Sequence, residues 1–465
     1  MDAINSTIDA TMAAEAAVQA WRRQAFRSFT SALEDAGIAY CLLGRVDDFP
    51  AVIESDIDFV VGQHDLARLP KLVFDVATRC CASVVQSLQH EVGASYFVIA
   101  HRIGSRMAYL HPDASGDYRR GGRLWMTAER LLAGRLRHEH GFWVPAPADA
   151  FLYYLIKRID KNMLESVHFD YLIRRLAEAR ESCAAALRER FGDGLARGVL
   201  DALASNDCRA LTDRLPELRR RMHATSRQES RAERARVAAG ELRRRAGRVV
   251  RPTGLVVGFL GPDGAGKSTL IQALTRELAP AFRRTSYFHL RTSVLLRRSE
   301  SQGGGAVTAP HGQTPRGHLA SLVKLFALAA EYVVGYAAVV LPMKIRSSLV
   351  IFDRYFHDLQ ADPLRYRWQG AAWLSRATGR LLPEPDVWII LDAPSAVLLA
   401  RKAEVSAAAA ELQRAGYRAL GRQLKHSVVI DTSATVESSV GAALDFVTTH
   451  LAARAADRFG QPVRR

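Results

Sequence analysis

Hydrophobic positions in the second half of the chain form short runs separated by stretches of helical periodicity. We expect five of these runs to be strands: Leu255–Leu260, Ser286–Leu290, Leu349–Phe352, Val387–Leu391 and Val428–Ile430. Buried runs of this length that alternate with helices are typical of a parallel sheet covered on both faces. The pattern therefore predicts an α/β domain with a doubly wound parallel sheet over residues 253–465.

The first half has a different pattern. A helix of about residues 11–36 and another of about 66–80 are combined with five expected strands: Ala39–Leu43, Asp56–Val61, Ser83–Gln86, Tyr96–His101 and Met107–Leu110. This layout predicts an α+β domain over residues 1–125. From Thr127 onward the periodicity is helical, which predicts a helical subdomain over residues 126–215. Pro112 cannot donate to a sheet ladder, so we expect the strand that leads to Asp113 to lie at a sheet edge.

Positive charge is concentrated in one part of the chain. The chain of 465 residues carries a formal charge of +16, and the part from Glu217 to Arg251 has twelve Arg against four Glu. We predict that residues 216–252 are a solvated, Arg-rich helical linker, and contact with nucleic acid or anionic lipid stays open as the alternative. The length predicts two or three domains.

One long apolar stretch, Leu319 to Met343, raises the question of a membrane span. Lys324 and Glu331 interrupt it, so we favour a buried amphipathic core helix over a transmembrane or membrane-surface helix. We therefore expect no transmembrane segment. The five Cys have no metal-ligand spacing, which indicates a reduced, cytoplasmic protein.

A glycine-rich segment carries the clearest chemical signal. Gly261-Pro-Asp-Gly-Ala-Gly-Lys-Ser-Thr269 fits the phosphate-binding loop G-x-x-x-x-G-K-[ST] between an expected strand and an expected helix. Backbone amides and the helix dipole there favour an anion such as the triphosphate of ATP. Lys267 would reach the β- and γ-phosphates, and the Ser268 hydroxyl would bind Mg²⁺. The residues expected to contact the nucleotide are Gly261, Asp263, Gly264, Ala265, Gly266, Lys267, Ser268 and Thr269. An ordinary glycine turn is the alternative.

Three further carboxylates stand near this loop in the expected fold. Asp353 ends one buried strand and is followed by Arg354, whose fork suits an acceptor phosphate. Asp392 ends another strand, and the helix after it carries Arg401, which could close over the transferred phosphoryl group. Asp263 lies within the loop itself. Such groups would position Mg²⁺ and reactants rather than act as a strong base.

Together these motifs resemble the thymidylate kinase family. The resemblance rests on Phe259-x-Gly261-x-Asp263, Asp353-Arg354-Tyr355 and Leu391-Asp392-x-Pro394 with Arg401, and it spans about residues 253–455. It implies that ATP and Mg²⁺ are used, that Arg354 holds an acceptor monophosphate, that Asp263 contacts an acceptor hydroxyl, and that Lys267, Asp353 and Arg401 serve catalysis.

The chain also departs from that family. Leu260 stands where the family usually has Glu, and His289-Leu-Arg291-Thr replaces the usual Arg-Glu-Pro-Gly segment. A Gly- and Pro-rich segment, Ser299–Pro315, then follows and is expected to be a loop. The part from Glu404 to Gln413 is short for a lid. These differences favour a phosphorylated acceptor other than dTMP.

Carboxylates in the first half indicate a second site. Asp56 and Asp58 lie on the same face of one expected strand, and such close charges favour a divalent cation between them, with Asp113 as the third ligand. With Gly44 after the first strand, this layout resembles the nucleotidyltransferase superfamily, in which that glycine lies near the phosphates. Surface acids on a decayed fold are the alternative.

The leading hypothesis is an ATP- and Mg²⁺-dependent kinase of a small phosphorylated acceptor, fused to a nucleotidyltransferase-like module. Chains that resemble this fusion suggest a role in polysaccharide or envelope biosynthesis. A genuine dTMP kinase is one alternative. The other is a nucleic-acid-binding nucleotidyltransferase whose second half is a regulatory ATP switch. A homodimer stays open.

Overall fold

The computed structural model describes residues 2–89, 91, 93–228, 230–295, 317–402 and 406–461. The chain divides into two compact units. The first consists mainly of Met1–His101 and Ala108–Arg245, and the second mainly of Ala246–Asp457. The loop expected at Ser299–Pro315 and the start of the lid segment at Glu404 lie outside the described residues.

The first unit begins with a helix and a mixed sheet and continues into helices. Its elements are, in chain order, α1 Asp2–Asp35, β1 Tyr40–Leu42, β2 Asp56–Val61, α2 Leu69–Arg79, β3 Ser83–Leu88, β4 Ala94–Ile103, β5 Arg106–Ser115, β6 Tyr118–Arg120, β7 Arg123–Met126, α3 Ala128–Ala133, β8 Leu136–Arg137, β9 Trp143–Val144, α4 Pro147–Lys161, α5 Ser166–Glu178, α6 Arg180–Phe191, α7 Asp193–Ala204, α8 Cys208–Thr225, β10 Arg227–Gln228 and α9 Arg231–Val250.

The larger sheet of this unit has the strand order β1-β2-β5-β4-β3, and β2 runs parallel to β5. The expected edge position for the strand that carries Asp113 is therefore wrong, since β5 lies in the middle. His111, the residue before Pro112, donates its N–H to Ser55 O on the β2 side. Successive residues of a strand direct their N–H groups to opposite sides, so the donor that Pro112 lacks would face β4. The proline therefore weakens the ladder toward β4 but leaves the pairing with β2 in place.

Helices α4 to α8 follow one another between Pro147 and Thr225. Apolar side chains from these helices, including Phe151, Leu172, Leu187, Val199 and Leu215, build one core. The Arg-rich α9 contrasts with them, because none of its described residues is buried. Its composition explains this exposure, since few of its side chains could stabilise the helix by apolar burial.

The second unit has one central sheet. Its elements are β11 Leu255–Leu260, α10 Lys267–Leu278, β12 Arg284–His289, α11 His318–Gly335, α12 Leu341–Ile345, β13 Ser348–Asp353, α13 Asp358–Ala361, α14 Ala372–Leu381, β14 Val387–Asp392, α15 Ser395–Arg401, α16 Ala407–Gln423, β15 Ser427–Asp431 and α17 Val436–Arg458. The strand order is β12-β13-β11-β14-β15, and all neighbours are parallel. The predicted doubly wound parallel sheet and its five strands are confirmed.

The long apolar stretch is helical but is buried on one face only. Among the described residues, one helical segment, His318–Ile345, has the length and composition to cross a membrane, and 33% of that window is buried. Leu325 and Leu328 face the core, whereas Leu319 and Phe326 are exposed. The expectation of a core helix therefore holds for one side of α11. Glu331 is fully buried there and accepts hydrogen bonds from the N–H groups of Val294 and Leu295.

Candidate active site

The phosphate-binding loop joins the buried strand β11 to the start of α10. Three of its glycines have positive φ, at Gly261 (146°), Gly264 (81°) and Gly266 (81°). A Cβ on Gly261 would lie 2.6 Å from Leu391 O, and one on Gly264 would lie 2.8 Å from Leu398 O. Close backbone approach and left-handed geometry therefore require glycine at these positions. The first N–H groups of a helix lack an acceptor within the helix, so the start of α10 after this loop can bind an anion.

Lys267 lies within this loop. Its Nζ donates to Gly261 O at 2.9 Å and to Pro262 O at 2.8 Å, and it is 3.9 Å from Asp263 Oδ1. Burial, with Arg354 nearby, lowers the pKa of Lys267 to about 7. A triphosphate would supply the negative charge that this buried ammonium group lacks. Ser268 and Thr269, the next two residues, are exposed at the start of the helix.

Asp353 ends β13 beside the loop. It is in register with Phe259 of β11 and with His289 of β12. Its Oδ2 accepts a hydrogen bond from Tyr287 Oη at 3.0 Å, whereas its Oδ1 is buried and has no partner among the described residues. An unpaired carboxylate oxygen at this position fits a Mg²⁺ ion or a metal-bound water. With the exposed Ser268 hydroxyl, the residues present can hold the metal that the loop implies.

Arg354 follows directly and adopts a left-handed backbone with φ of 72°. Its N–H donates to Phe259 O at 3.0 Å, which ties the end of β13 to β11. Its side chain is only 4% exposed, and Nη1 lies 3.0 and 2.8 Å from the two oxygens of Asp358. Nη2 donates to Oδ1 of Asp263. Such backbone strain in a non-glycine residue is typical of functional sites.

Asp263 is thereby shared between two arginines. Its Oδ2 accepts from Arg365 Nη1 at 2.7 Å. Burial would raise the pKa of Asp263, but the neighbouring cations, Arg354 foremost, hold it well below its usual range. Tyr366 Oη and Tyr417 Oη donate to Asp358 at 2.7 and 2.6 Å and complete the network.

The second strand-ending carboxylate, Asp392, is turned toward α16. Its Oδ1 accepts from Arg414 Nε at 2.9 Å, and its Oδ2 accepts from Arg418 Nε at 2.7 Å. Arg401 donates to Thr432 O at 3.0 Å and is exposed. The close approach of Leu398 O to Gly264 nevertheless places the end of α15 beside the phosphate-binding loop.

In the first unit, two of the carboxylates expected to bind a cation contact basic side chains. Asp58 and Asp113 are register partners on β2 and β5, but Asp58 Oδ2 accepts from Lys157 Nζ at 3.0 Å. Asp56 Oδ1 lies 2.9 Å from His111 Nδ1. Burial, with Asp58 nearby, raises the pKa of Asp113 to about 7.

These contacts concern the divalent cation that the sequence predicts between Asp56, Asp58 and Asp113. Among the described residues, no group of three or more His, Cys, Asp and Glu side chains could hold a metal ion. Metal binding by Asp56, Asp58 and Asp113 therefore stays a prediction. Gly44 has φ of 84° and lines an open cleft in this unit with Tyr153, Tyr171 and Arg175.

Sequence reasoning missed several residues of the candidate site in the second unit. Asp358, Arg365 and Tyr417 were not singled out, although they surround Arg354 and Asp263. Tyr417 is 63 positions from Arg354 and belongs to α16, so spacing alone gives no signal for it. Asp358 is four positions after Arg354, and this charge spacing could have indicated the ion pair.

Comparisons with known proteins find relatives that are thymidylate kinases. A thymidylate kinase of Xanthomonas campestris pv. campestris (strain B100) is 30% identical over 215 residues, which are 44% of this chain and 87% of the relative. A thymidylate kinase of Xylella fastidiosa (strain M12) is 29% identical over 213 residues, which are 44% of this chain and 91% of the relative. More than half of this chain lies outside these alignments.

A solved thymidylate kinase structure from Ehrlichia chaffeensis is 18% identical and covers 42% of this chain and 98% of its own, with a TM-score of 0.30. No protein-family model matches the chain.

Proposed function

This chain belongs to the thymidylate kinase family, and from that premise we propose that its second unit transfers the γ-phosphoryl group of ATP to a small phosphorylated acceptor. Membership of this family supports the activity of a nucleotide-kinase-like phosphotransferase. The observation that carries the proposal is the meeting of Lys267, Asp353 and Arg354 at the carboxyl edge of one parallel sheet. Ligands of open α/β sheets bind at that edge.

Each of these residues has a role in the proposed reaction. The loop amides and Lys267 would bind the phosphates, and Ser268 and Asp353 would hold Mg²⁺. When bound, the metal neutralises charge on the phosphates. Arg354 and Asp263 would orient the acceptor, and Arg401 would act from the lid. Positioning and charge stabilisation account for most catalysis in this reaction class.

The acceptor is a nucleotide or a sugar phosphate in this proposal. The name of the relatives favours dTMP, so a genuine dTMP kinase is the main alternative. Leu260 and the segment His289-Leu-Arg291-Thr differ from the usual family pattern and favour another phosphorylated acceptor.

For the first unit we propose a nucleotidyltransferase-like module whose site includes Gly44, Asp56, Asp58 and Asp113, with a role in polysaccharide or envelope biosynthesis. Its support is the sequence resemblance alone. The exposed arginines of α9 favour the other alternative, a nucleic-acid-binding protein with a regulatory ATP-binding half. A cytoplasmic location and a homodimer are further parts of the proposal.

The test is ADP formation from Mg-ATP with a panel of nucleoside monophosphates and sugar phosphates. We expect ADP only in the presence of one class of acceptor, and we expect Lys267→Ala to abolish it while Lys425→Ala, an exposed lysine of the same unit, leaves it unchanged. Asp56→Ala reports whether the first unit contributes. ATP binding without turnover on any acceptor, combined with salt-sensitive binding to nucleic acid, would favour the regulatory alternative.

A further inference from the structure

The segment between α13 and α14 brings an arginine to the candidate site that no sequence pattern assigns. We propose that Arg365 binds the phosphate group of the acceptor, a role that rests on the phosphotransferase function proposed above. The acceptor recognised in this way is a phosphate monoester, whether of a nucleoside or of a sugar.

The first step in the argument is the position of Asp263. This residue lies in the phosphate-binding loop, and its two oxygens face two different arginines. Oδ1 accepts from Arg354, and Oδ2 accepts from Arg365 at 2.7 Å. Lys267 Nζ lies 3.9 Å from Oδ1, so Arg365 stands next to the group expected to contact the β- and γ-phosphates.

The second step is that Arg354 is already neutralised. Both oxygens of Asp358 contact its Nη1, and that carboxylate is itself completely buried. Two tyrosine hydroxyls hold Asp358 in place. Withdrawing Asp358 would remove the main partner of a buried charge, which is costly. Arg354 therefore acts as a fixed positioning residue for Asp263.

The third step is that Arg365 differs from Arg354 in burial and anchoring. Its side chain is 22% exposed, compared with 4% for Arg354. Its backbone N–H donates to Asp362 Oδ1 at 3.3 Å, and Gln413 Nε2 donates to the other oxygen of Asp362 at 3.0 Å. These contacts hold the segment around Arg365, while its side chain stays partly exposed.

An exchange of partners follows from this arrangement. A phosphate monoester can replace Asp263 Oδ2 on Arg365, because a guanidinium group binds phosphate through two parallel hydrogen bonds. Asp263 would keep Arg354, so no buried charge would lose its partner. Asp263 therefore holds Arg365 ready, and it would disfavour an acceptor that carries no negative charge to compete with it.

Calorimetry on the full chain loaded with Mg-ADP tests this inference. The probes are dTMP and glucose 1-phosphate, each compared with its phosphate-free counterpart, thymidine or glucose. The variants are Arg365→Ala and Arg365→Lys, with Arg380→Ala on the exposed face of α14 as the matched control. For the phosphorylated probe that binds, we expect Arg365→Ala to weaken affinity about 10- to 100-fold. Arg365→Lys should lose less, and Arg380→Ala should change nothing.

ATP affinity within about twofold of wild type would show that each variant keeps a folded loop. Phosphate-probe affinity unchanged in Arg365→Ala would overturn the inference, as would a wild type that binds neither phosphorylated probe. The proposed function would fail on its own if no acceptor led to ADP formation while phosphate binding still depended on Arg365. Turnover with an unchanged KM for the acceptor in Arg365→Ala would sink the role of Arg365 alone.

Discussion

Nη1 of Arg354 contacts both carboxylate oxygens of Asp358, at 3.0 and 2.8 Å, and both side chains are almost completely buried. The pair lies beneath the candidate acceptor site and is closed by tyrosine hydroxyls. Since neither charge is accessible to water, each depends on the other.

Asp358→Ala should therefore destabilise the second unit strongly. We expect a loss of about 3–5 kcal/mol, because the variant leaves the Arg354 charge buried without its main partner. Urea denaturation measures the effect. Glu411→Ala is the control, since that acid contacts Arg414 at 2.7 Å but is 57% exposed, and exposed ion pairs contribute little to stability. Equal losses in the two variants would contradict the prediction.

ATP binding should take up protons at Lys267. Burial lowers the pKa of Lys267 to about 7, so the group is largely neutral above pH 7 before nucleotide binds. Phosphates favour the charged form, so we expect uptake of about half a proton at pH 7 and nearly one at pH 8. Binding enthalpies measured in buffers of different ionisation enthalpy give this number directly.

The lysine variants make that measurement specific. Lys267→Met should remove the uptake at nucleotide concentrations that still saturate the protein, whereas Lys425→Met, at an exposed position, should keep it. Proton uptake of the same size in Lys267→Met would assign it to another group.

Asp353→Asn should raise the Mg²⁺ requirement. The unpartnered Oδ1 of Asp353 is buried, and replacing the carboxylate by an amide removes the charge that a metal ion or its water needs. We expect the Mg²⁺ concentration for half-maximal ADP formation to rise about 10- to 100-fold. Asp431→Asn, at the end of the edge strand β15 and exposed, should leave it unchanged. An unaltered Mg²⁺ dependence in Asp353→Asn would argue against metal binding here.

Gly261→Ala should damage both the fold and nucleotide binding. An added Cβ would meet Leu391 O at 2.6 Å, in a backbone region that side chains rarely adopt. We expect a loss of about 1–3 kcal/mol in stability together with much weaker ATP binding. Gly37→Ala, where φ is 65° and no atom lies within 4 Å of the added Cβ, tests left-handed strain alone and should leave ATP affinity unchanged. Unchanged ATP affinity in Gly261→Ala would contradict the role given to this glycine.

The central strands of the second unit could be predicted from sequence because they are buried on both faces. Runs such as Leu255–Leu260 and Val387–Asp392 are fully buried, so their composition identifies them without tertiary information. The phosphate-binding loop was recognisable for a related reason, since its function depends on residues adjacent in sequence. The structure places Lys267 and Asp353 near each other as the strand order requires.

Contacts between distant elements could not be predicted in the same way. Arg365 meets Asp263 across 102 positions, and its partner depends on how the segment before α14 packs. The edge position expected from Pro112 is wrong, because β5 keeps its pairing with β2 through the N–H of His111 even though the proline lacks a donor. Lys157 also shows this limit, since its contact with Asp58 depends on how α4 packs against the sheet.

Helix α16 contacts two of the buried carboxylates of the second unit. Tyr417 donates to Asp358 on the acceptor side, while Arg414 and Arg418 hold Asp392 at the end of β14. Because one helix holds both carboxylates, a displacement of α16 would disturb Asp358 and Asp392 together.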